Sequence, residues 1–340
     1  MEDFMKNEKQ YSGYLYIGLC TLIFSTMEVM LKIPAISGVF APMQITMERF
    51  LVGGICLLPL ALSHLKKKGL RLTAADLRYF ALTGLLCVPL SMVFYQLAIT
   101  YGHANTVAVL FSGNPVFVTF LAFLLLREAI HWNNYLALVL EILGILAIIN
   151  PFSPNSKISL LSVTLAIISA LLFSLYSVLG KRSAKKFGGL VVPTFSFLFG
   201  GGELLLLLLL GHTQPGAGFY HAMGLPMFCN VPFLHGIQGA TIPYFLFICL
   251  INNAAGYVFH MLSMEKTDAN TANLIFFFKP IIAPIFALVI LHEAITVNII
   301  QGIALFLCGS LMGIIPNMLR IRRAAAITAA GGPLSSDPTK

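Results

Sequence analysis

Hydrophobic and polar positions follow one another along the chain in long blocks. Apolar runs of about twenty residues alternate with short polar or Pro- and Gly-rich breaks, and they fall at about 13–33, 41–62, 76–98, 104–126, 131–150, 158–181, 189–210, 241–263, 269–291 and 296–317. About 20 apolar residues in a helix cross a hydrocarbon core of roughly 30 Å. Because backbone groups in lipid must bond within their own segment, these runs predict helices, not open strands. The pattern therefore predicts ten transmembrane helices, called spans 1 to 10 below.

Composition and charge agree with this interpretation. The 340 residues are 58% hydrophobic and only 10% charged, whereas a soluble protein is about half apolar and a quarter charged. With ten spans, 17 of the 21 Lys and Arg residues fall on one side of the membrane, and 11 of these cluster after spans 2, 6 and 10, at 66–71, 181–186 and 320–323. Cations mark the cytoplasmic side of a membrane protein. The clusters therefore predict a multi-pass protein of the cytoplasmic membrane with both termini in the cytoplasm, and we interpret the +8 net charge as an orientation signal and not as a nucleic-acid site.

The second half of the chain repeats the first. A displacement of 165 residues lays Ala104-Asn105-Thr106 on Ala269-Asn270-Thr271, Pro115 on Pro280 and Glu128-Ala129-Ile130 on Glu293-Ala294-Ile295, and displacements of 149 and 147 align Phe24-Ser25 with Phe173-Ser174, Lys32 with Lys181 and Phe50-Leu51 with Phe197-Leu198. The predicted repeats are 1–153 and 154–320, with an outer loop at about 211–240 and a cytoplasmic tail at 321–340. Because each repeat has an odd number of helices, the fold class is an all-α membrane protein of two inverted five-helix repeats. Such duplication is typical of secondary transporters.

The motifs within the repeats resemble those of the EamA branch of the drug/metabolite transporter superfamily. They include Asn114-Pro115-Val116-Phe117, Leu126-Arg127-Glu128, Leu175-Tyr176-Ser177-Val178-Leu179 and Leu291-His292-Glu293. The resemblance implies a central cavity lined by spans 1 to 4 and 6 to 9, with spans 5 and 10 to one side. It also implies movement of small metabolites, commonly the export of amino acids or related compounds.

Six ionisable side chains are predicted to lie within spans, where a charge costs a few kcal/mol or more. They are Glu28, Glu48, Arg49, Glu141, Glu203 and Lys279. Their counterparts in the other repeat are Ser177, Phe195, Ser196, Phe306, Cys56 and Asn114. A requirement of the framework should recur in both copies. The absence of any such recurrence favours a single, asymmetric functional site.

Lys279 is the strongest candidate for substrate binding. It lies near the predicted midplane of span 9, directly before Pro280, which lacks an amide hydrogen and frees backbone groups of the preceding turn. A lysine there could bind the carboxylate or phosphate of a substrate, and Asn114 is its uncharged counterpart. The alternative is a structural ion pair with Glu203 or Glu141. Here the sequence departs from the EamA pattern, in which an acidic or small polar residue often precedes this proline.

Glu28 belongs to a polar stripe of Thr21, Ser25, Glu28 and Lys32 that recurs at helical spacing in span 1. The stripe is expected to face the bundle. Lys32 follows Glu28 by four residues and could neutralise it within the helix. Alternatively, Glu28 could meet Arg49 of span 2, either as a structural clamp or as a pair whose partners a substrate exchanges. The sequence leaves both alternatives open.

The remaining candidates support this site or lie beside it. Glu203 and Glu28 are candidates for proton coupling, because burial favours the protonated carboxyl. Glu141 is expected to make a packing or oligomer contact, and a homodimer remains open. Further candidate substrate contacts, each of which could instead serve interhelical packing, are Tyr95, Tyr176, Asn252, Asn253 and His260.

The motifs of other function classes are poorly matched. The run His292-Glu293 lacks the second histidine of a zinc-binding helix, and no phosphate-binding glycine and lysine signature is present. We therefore predict no enzyme, no cofactor and no metal. The leading hypothesis is a lipid-embedded secondary transporter that exports a small polar or amphipathic metabolite, amino-acid or carboxylate-like, by alternating access with a coupling proton. The alternative is a non-transporting intramembrane ligand-binding or regulatory protein.

Overall fold

The fold is built from apolar helices of the kind that span a membrane. A computed structural model describes residues 2–126, 132–150, 159–266 and 274–312, and in these ranges every regular element is a helix. Seven of them are long and apolar enough to span a membrane: Ser12–Lys32, Pro42–Lys67, Ala74–Tyr101, Ala104–Leu125, Leu160–Gly180, Val191–Leu210 and Ile242–Ser263. Three shorter apolar helices, Tyr135–Ile149, Ile275–Leu291 and Val297–Met312, complete the set. The ten predicted spans are thus confirmed.

Several spans are assembled from more than one helical piece. Span 1 consists of Glu2–Ser25 and Met27–Lys32, and a short helix Pro34–Ser37 follows it. Span 3 contains a π-helical stretch, Leu86–Met92, between Ala74–Leu85 and Val93–Tyr101. Span 8 contains one at the matching place, so that it runs as Ile242–Leu246, Phe247–Ala255 and Gly256–Lys266. Span 4 is divided into Ala104–Ser112 and Asn114–Leu126.

The other spans are continuous in the described part of the chain. They are Pro42–Lys67 (span 2), Trp132–Ile149 (span 5), Leu160–Phe187 (span 6), Val191–Leu210 (span 7), Leu274–Leu291 (span 9) and Val297–Met312 (span 10). The Arg127-Glu128 motif, the predicted start of span 9 and the predicted tail at 321–340 lie outside the described residues.

The break in span 1 is stabilised by span 8. At Thr26 the helix is interrupted, and the amide of Thr26 donates to the Ile23 carbonyl at 3.2 Å. The Asn252 side-chain amide donates to the same carbonyl at 2.6 Å and to the Thr26 hydroxyl at 3.0 Å. Backbone groups freed inside a membrane protein must be satisfied by neighbouring protein groups. The bonds from Asn252 therefore stabilise a separate helical piece, Met27–Lys32, called segment 27–32 below.

The long loop between spans 7 and 8 lies over the start of span 2. It contains a helix, Gln214–Ala222, and a 3₁₀ turn, Pro226–Phe228. The Gln44 side chain donates to the His235 carbonyl at 2.7 Å. Gly236 has φ +82° and packs so closely on Val39 that an added Cβ would lie 2.6 Å from a valine methyl group. The loop thus covers the end of the bundle at which span 1 finishes.

The two repeats make reciprocal contacts, as expected for a pseudo-two-fold axis. The Cys20 thiol donates to the Gly256 carbonyl at 3.3 Å, and at the equivalent positions the Ser169 hydroxyl donates to the Ser91 carbonyl at 2.9 Å. Spans 2 and 7 repeat the pattern, because Gly54 faces Leu198 and the equivalent Gly201 faces Leu51. The alignment inferred from sequence therefore corresponds to real structural equivalence between the repeats.

Spans 3 and 7 cross at glycines. A Cβ on Gly84 would lie 2.7 Å from the Gly200 nitrogen, and a Cβ on Gly200 would lie 2.4 Å from the Gly84 carbonyl oxygen. Only the absence of side chains lets these backbones approach, as in small-residue interfaces of membrane helices. Gly202, two residues further on, faces open space.

We therefore expect Gly200→Ala to lower stability by about 1–3 kcal/mol, the usual cost of overpacking. Gly202→Ala is the matched control in the same helix, and it should be neutral or stabilising because alanine favours helix over glycine. Thermal unfolding of both variants in detergent measures the difference. Equal unfolding temperatures for the two variants would contradict the proposed close crossing.

Candidate functional site

A buried ion pair joins the two repeats. The Lys279 Nζ lies 2.6 Å from the Glu28 Oε1, and the two side chains are 4% and 0% exposed. The Lys279 ammonium also lies 5.4 Å from the centre of the Phe111 ring, over its face. The pairing of Lys279 with Glu203 or Glu141, proposed from the sequence as an alternative, is therefore wrong. The proposed pairing of Glu28 with Lys32 or Arg49 is also wrong. The structure instead brings together two residues proposed separately for the site.

The equivalent place in the other repeat is neutral. Repeat displacement lays Lys279 on Asn114 and Glu28 on Ser177. The Asn114 side chain donates to the Ala170 carbonyl at 3.2 Å, and the Ser177 hydroxyl donates to the Phe173 carbonyl at 2.8 Å. Both neutral side chains thus bond to the backbone of span 6. The framework is satisfied without charge at this place, so the charged pair in the other half is not a requirement of the fold.

A second ion pair lies one turn further along segment 27–32. The Lys32 Nζ lies 3.2 Å from the Glu293 Oε1 and donates to the Gly102 carbonyl. The two Glu293 oxygens accept the backbone amides of Ala104 and Asn105, each at 3.0 Å. A carboxylate at a helix N-terminus is favoured by the free amides and the helix dipole. We call this group of five residues the Lys32–Glu293 latch.

The latch connects three parts of the bundle. Glu293 follows span 9, its amide donors begin span 4, and Lys32 ends segment 27–32. Sequence reasoning did not assign Glu293 a role, although its recurrence as Glu128, together with that of Lys32 as Lys181, was a signal that the framework requires it. Segment 27–32 is therefore attached to the second repeat by two ion pairs of opposite polarity.

Arg49 is deeply buried, but it has no counter-ion. The residue is 1% exposed, and its guanidinium lies 4.8 Å from the Phe50 ring centre and 5.8 Å from that of Tyr95. Its Nη1 lies 3.3 Å from the Met27 sulfur. Within the described ranges, Nε and Nη2 find no hydrogen-bond partner and no carboxylate comes within 4.0 Å. Tyr95 interacts electrostatically with both Arg49 and Glu28 and so connects the two charges.

The other predicted contacts mostly hold helices together. Asn253 donates its side-chain amide to the Arg49 carbonyl at 2.9 Å, while Asn252 stabilises the break in span 1. The side-chain oxygens of both asparagines lack hydrogen-bond partners among the residues described. His260 lies between the rings of Phe24 and Phe276, with centroid distances of 6.4 and 6.1 Å. Tyr176 packs on Phe173 at a centroid distance of 5.6 Å.

Glu203 and Glu141 do not join these charges. Glu203 is half-buried in span 7 and forms no ion pair within the described part of the chain. Glu141 is 1% exposed and faces Gly113 of span 4 and Gly309 of span 10, so its position favours internal packing over an oligomer contact.

A cavity of about 250 Å³ lies beside the Glu28–Lys279 pair and Arg49. Its wall includes Lys32, Ile45, Ile99 and Gln96, and the Gln96 Oε1 has no hydrogen-bond partner among the described residues. Lys32 lies four residues after Glu28, Ile45 four residues before Arg49, and Ile99 four residues after Tyr95. Four residues are about one helical turn, or 5.4 Å. The cavity, called the vestibule below, is thus one turn from the charges, toward the end closed by the latch.

The comparisons with known proteins agree with this architecture. The EamA-like transporter family matches residues 11–150 and 160–314, one match for each repeat. A protein of Clostridium kluyveri named an uncharacterized transporter is 35% identical over 304 residues, covering 88% of this chain and 92% of its own. Another uncharacterized transporter, from Archaeoglobus fulgidus, is 22% identical and covers 71% of this chain and 79% of its own.

One solved chain, described only as a protein crystal structure, shares the fold with a TM-score of 0.59 at 16% identity, covering 92% of this chain and 99% of its own. That similarity supports the fold alone. The family match over both repeats and the transporter from Clostridium kluyveri go further. They show that this multi-pass membrane protein belongs to the EamA-like transporter family.

Proposed function

We propose that the protein is a secondary transporter that exports a small polar or amphipathic metabolite, amino-acid or carboxylate-like, across the cytoplasmic membrane by alternating access. The observation that carries the proposal is the buried Glu28–Lys279 pair, which lies between the repeats and has neutral residues at its equivalent positions. Inverted-repeat transporters bind their substrate between the repeats, which rock around the site. The basic clusters at 66–71 and 181–186 support an orientation with both termini in the cytoplasm.

The ion pair supplies a mechanism for coupling. A buried charge that loses its partner strongly destabilises the protein. A substrate anion that enters beside the pair would draw Lys279 away from Glu28, and a proton on Glu28 would then remove the uncompensated negative charge. Loss of that proton after substrate release restores the pair. Glu28 is the better placed of the two proton candidates, because Glu203 does not contact Lys279.

The Lys32–Glu293 latch supports a role as the outer gate. In the proposed orientation it lies at the outer end of the bundle, beside the vestibule. Opening that end would require segment 27–32 to separate from Glu293, and the helix break at Thr26 supplies a hinge. Because Glu28 and Lys32 belong to the same short segment, a change at the central pair reaches the latch directly.

A double-mutant comparison separates a structural clamp from a working site. Lys279→Met or Glu28→Gln alone should cost about 3–5 kcal/mol of stability where it leaves the other charge buried without a partner. The double variant Glu28→Gln/Lys279→Met should recover most of that stability, yet it should not transport. Thermal unfolding in detergent measures the first effect, and counterflow of labelled amino and carboxylic acids in proteoliposomes measures the second.

Full transport by the folded double variant would show that the pair is only structural. If the wild-type protein is stabilised by a ligand but exchanges none of it, the non-transporting ligand-binding protein becomes the correct description. Gly202→Ala, which changes a glycine facing open space, serves as the control for reconstitution.

The latch predicts a measurable coupling between Lys32 and Glu293. We expect a double-mutant cycle of Lys32→Met and Glu293→Gln to give a coupling energy of about 1–3 kcal/mol, since a partly buried charge-assisted pair is being removed. The exposed pair of Lys186 and Asp76, at 2.8 Å and at the opposite end of the bundle, is the control. Solvent should reduce its coupling below that of the latch. Equal coupling in the two cycles would contradict the assignment of a latch.

A further inference from the structure

Of the two buried cations in spans 2 and 9, only Lys279 has a carboxylate partner among the described residues. Lys279 and Arg49 are two buried cations, and Glu28 is the carboxylate that compensates one of them. Glu48, next to Arg49 in sequence, instead accepts a hydrogen bond at 3.0 Å from Gln44, one turn nearer the loop. An isolated buried charge costs several kcal/mol unless a partner of opposite charge is supplied. A ligand is one source of that partner.

The groups around the guanidinium cannot supply it. Tyr95 and Cys87 approach from span 3, and Tyr257 and Cys249 approach from span 8. Tyrosine and cysteine side chains are ordinarily protonated and therefore carry no negative charge. Span 1 contributes the sulfur of Met27. Among the described residues, the groups that surround the Arg49 guanidinium are aromatic or weakly polar, and no carboxylate lies within 4.0 Å of it.

The geometry around Arg49 suits a carboxylate attached to an apolar body. The unpartnered Nε and Nη2 lie on one edge of the guanidinium fork, the arrangement that binds the two oxygens of a carboxylate. Phe50 lies beside the guanidinium, and its ring meets the Phe197 ring edge-on at 4.8 Å. The vestibule adds aliphatic walls one turn away, with Lys32 at its edge.

We infer that Arg49 is the anion-binding subsite of this protein and that its ligand is an organic anion with one carboxylate and a small apolar body. The inference rests on the proposed function and makes the substrate class more definite. The carboxylate binds the Nε and Nη2 edge of Arg49, and the apolar body lies among the aromatic rings beside Tyr95. The Glu28–Lys279 pair then responds to the charge that has entered next to it.

The test compares acids with their uncharged amides. The probes are isovalerate and isovaleramide, phenylacetate and phenylacetamide, and 4-methylpentanoate and 4-methylpentanamide, each titrated into purified protein while thermal unfolding and calorimetric binding are measured. For at least one pair we expect the acid to bind about tenfold or more tightly than its amide, because only the acid supplies the missing charge. Failure of all three acids to bind more tightly than their amides would overturn the inference.

Variants locate the effect at Arg49. Arg49→Met should abolish the preference for the acid, and it should also stabilise the ligand-free protein, because it removes a buried charge that lacks a partner. A merely structural arginine would give the opposite result, lower stability with the preference unchanged. Arg49→Lys keeps the charge without the fork and should bind the acid with intermediate affinity. Arg71→Met removes the same charge from an exposed position and should change neither quantity.

The result is independent of the transport assay. If acid-selective binding is lost in Arg49→Met but the wild-type protein shows no counterflow in proteoliposomes, the subsite at Arg49 is supported and the proposed transport is contradicted. Transport of uncharged or cationic compounds that persists in Arg49→Met would do the reverse. Flux of an acid that is lost in Arg49→Met, in a variant that remains folded, would support both.

Discussion

The cost of a charge in a low-dielectric interior is the constraint on which the rest of the structure depends. Glu28 and Lys279 are separated by most of the chain, yet their side chains meet at 2.6 Å with almost no exposure to solvent. Either charge alone would be costly there. The pair therefore ties the first span of one repeat to the fourth helix of the other, and any movement between the repeats must provide replacements for both partners.

The interrupted helix of span 1 is what places Glu28 for this contact. Asn252 bonds to the freed carbonyl of Ile23, so that the chain can continue as the short segment 27–32 without leaving backbone groups unsatisfied. Within one turn that segment presents Glu28 to Lys279 and Lys32 to Glu293. One short helical segment thus carries both Glu28 of the buried pair and Lys32 of the latch. In the proposed transport cycle, a movement at one ion pair would therefore be passed directly to the other.

Duplication and asymmetry have separate roles in the molecule. Residues at equivalent positions of the two repeats make reciprocal contacts: Cys20 bonds to Gly256 in the same way as Ser169 bonds to Ser91. The charges buried within the spans do not recur, and at the position equivalent to Lys279 the neutral amide of Asn114 bonds to the backbone of span 6. The two halves therefore differ in their buried charges, and Arg49 has no carboxylate partner among the described residues.

The sequence was enough to predict the ten spans, the repeat and the charges inside the spans, because the length of apolar runs, the displacement between repeats and the ionisable residues within apolar runs can all be read along the chain. It also indicated that Thr21, Ser25 and Glu28 face the bundle, and all three are buried. Only the tertiary structure decided which charges meet. Spacing along span 1 suggested that Glu28 pairs with Lys32, and Arg49 of span 2 was the alternative partner, but the sequence pattern does not specify which helices are neighbours. Partner choice depends on distances between spans far apart in sequence, and this is why Lys279, Glu293 and the unpaired Arg49 acquired their roles only in three dimensions.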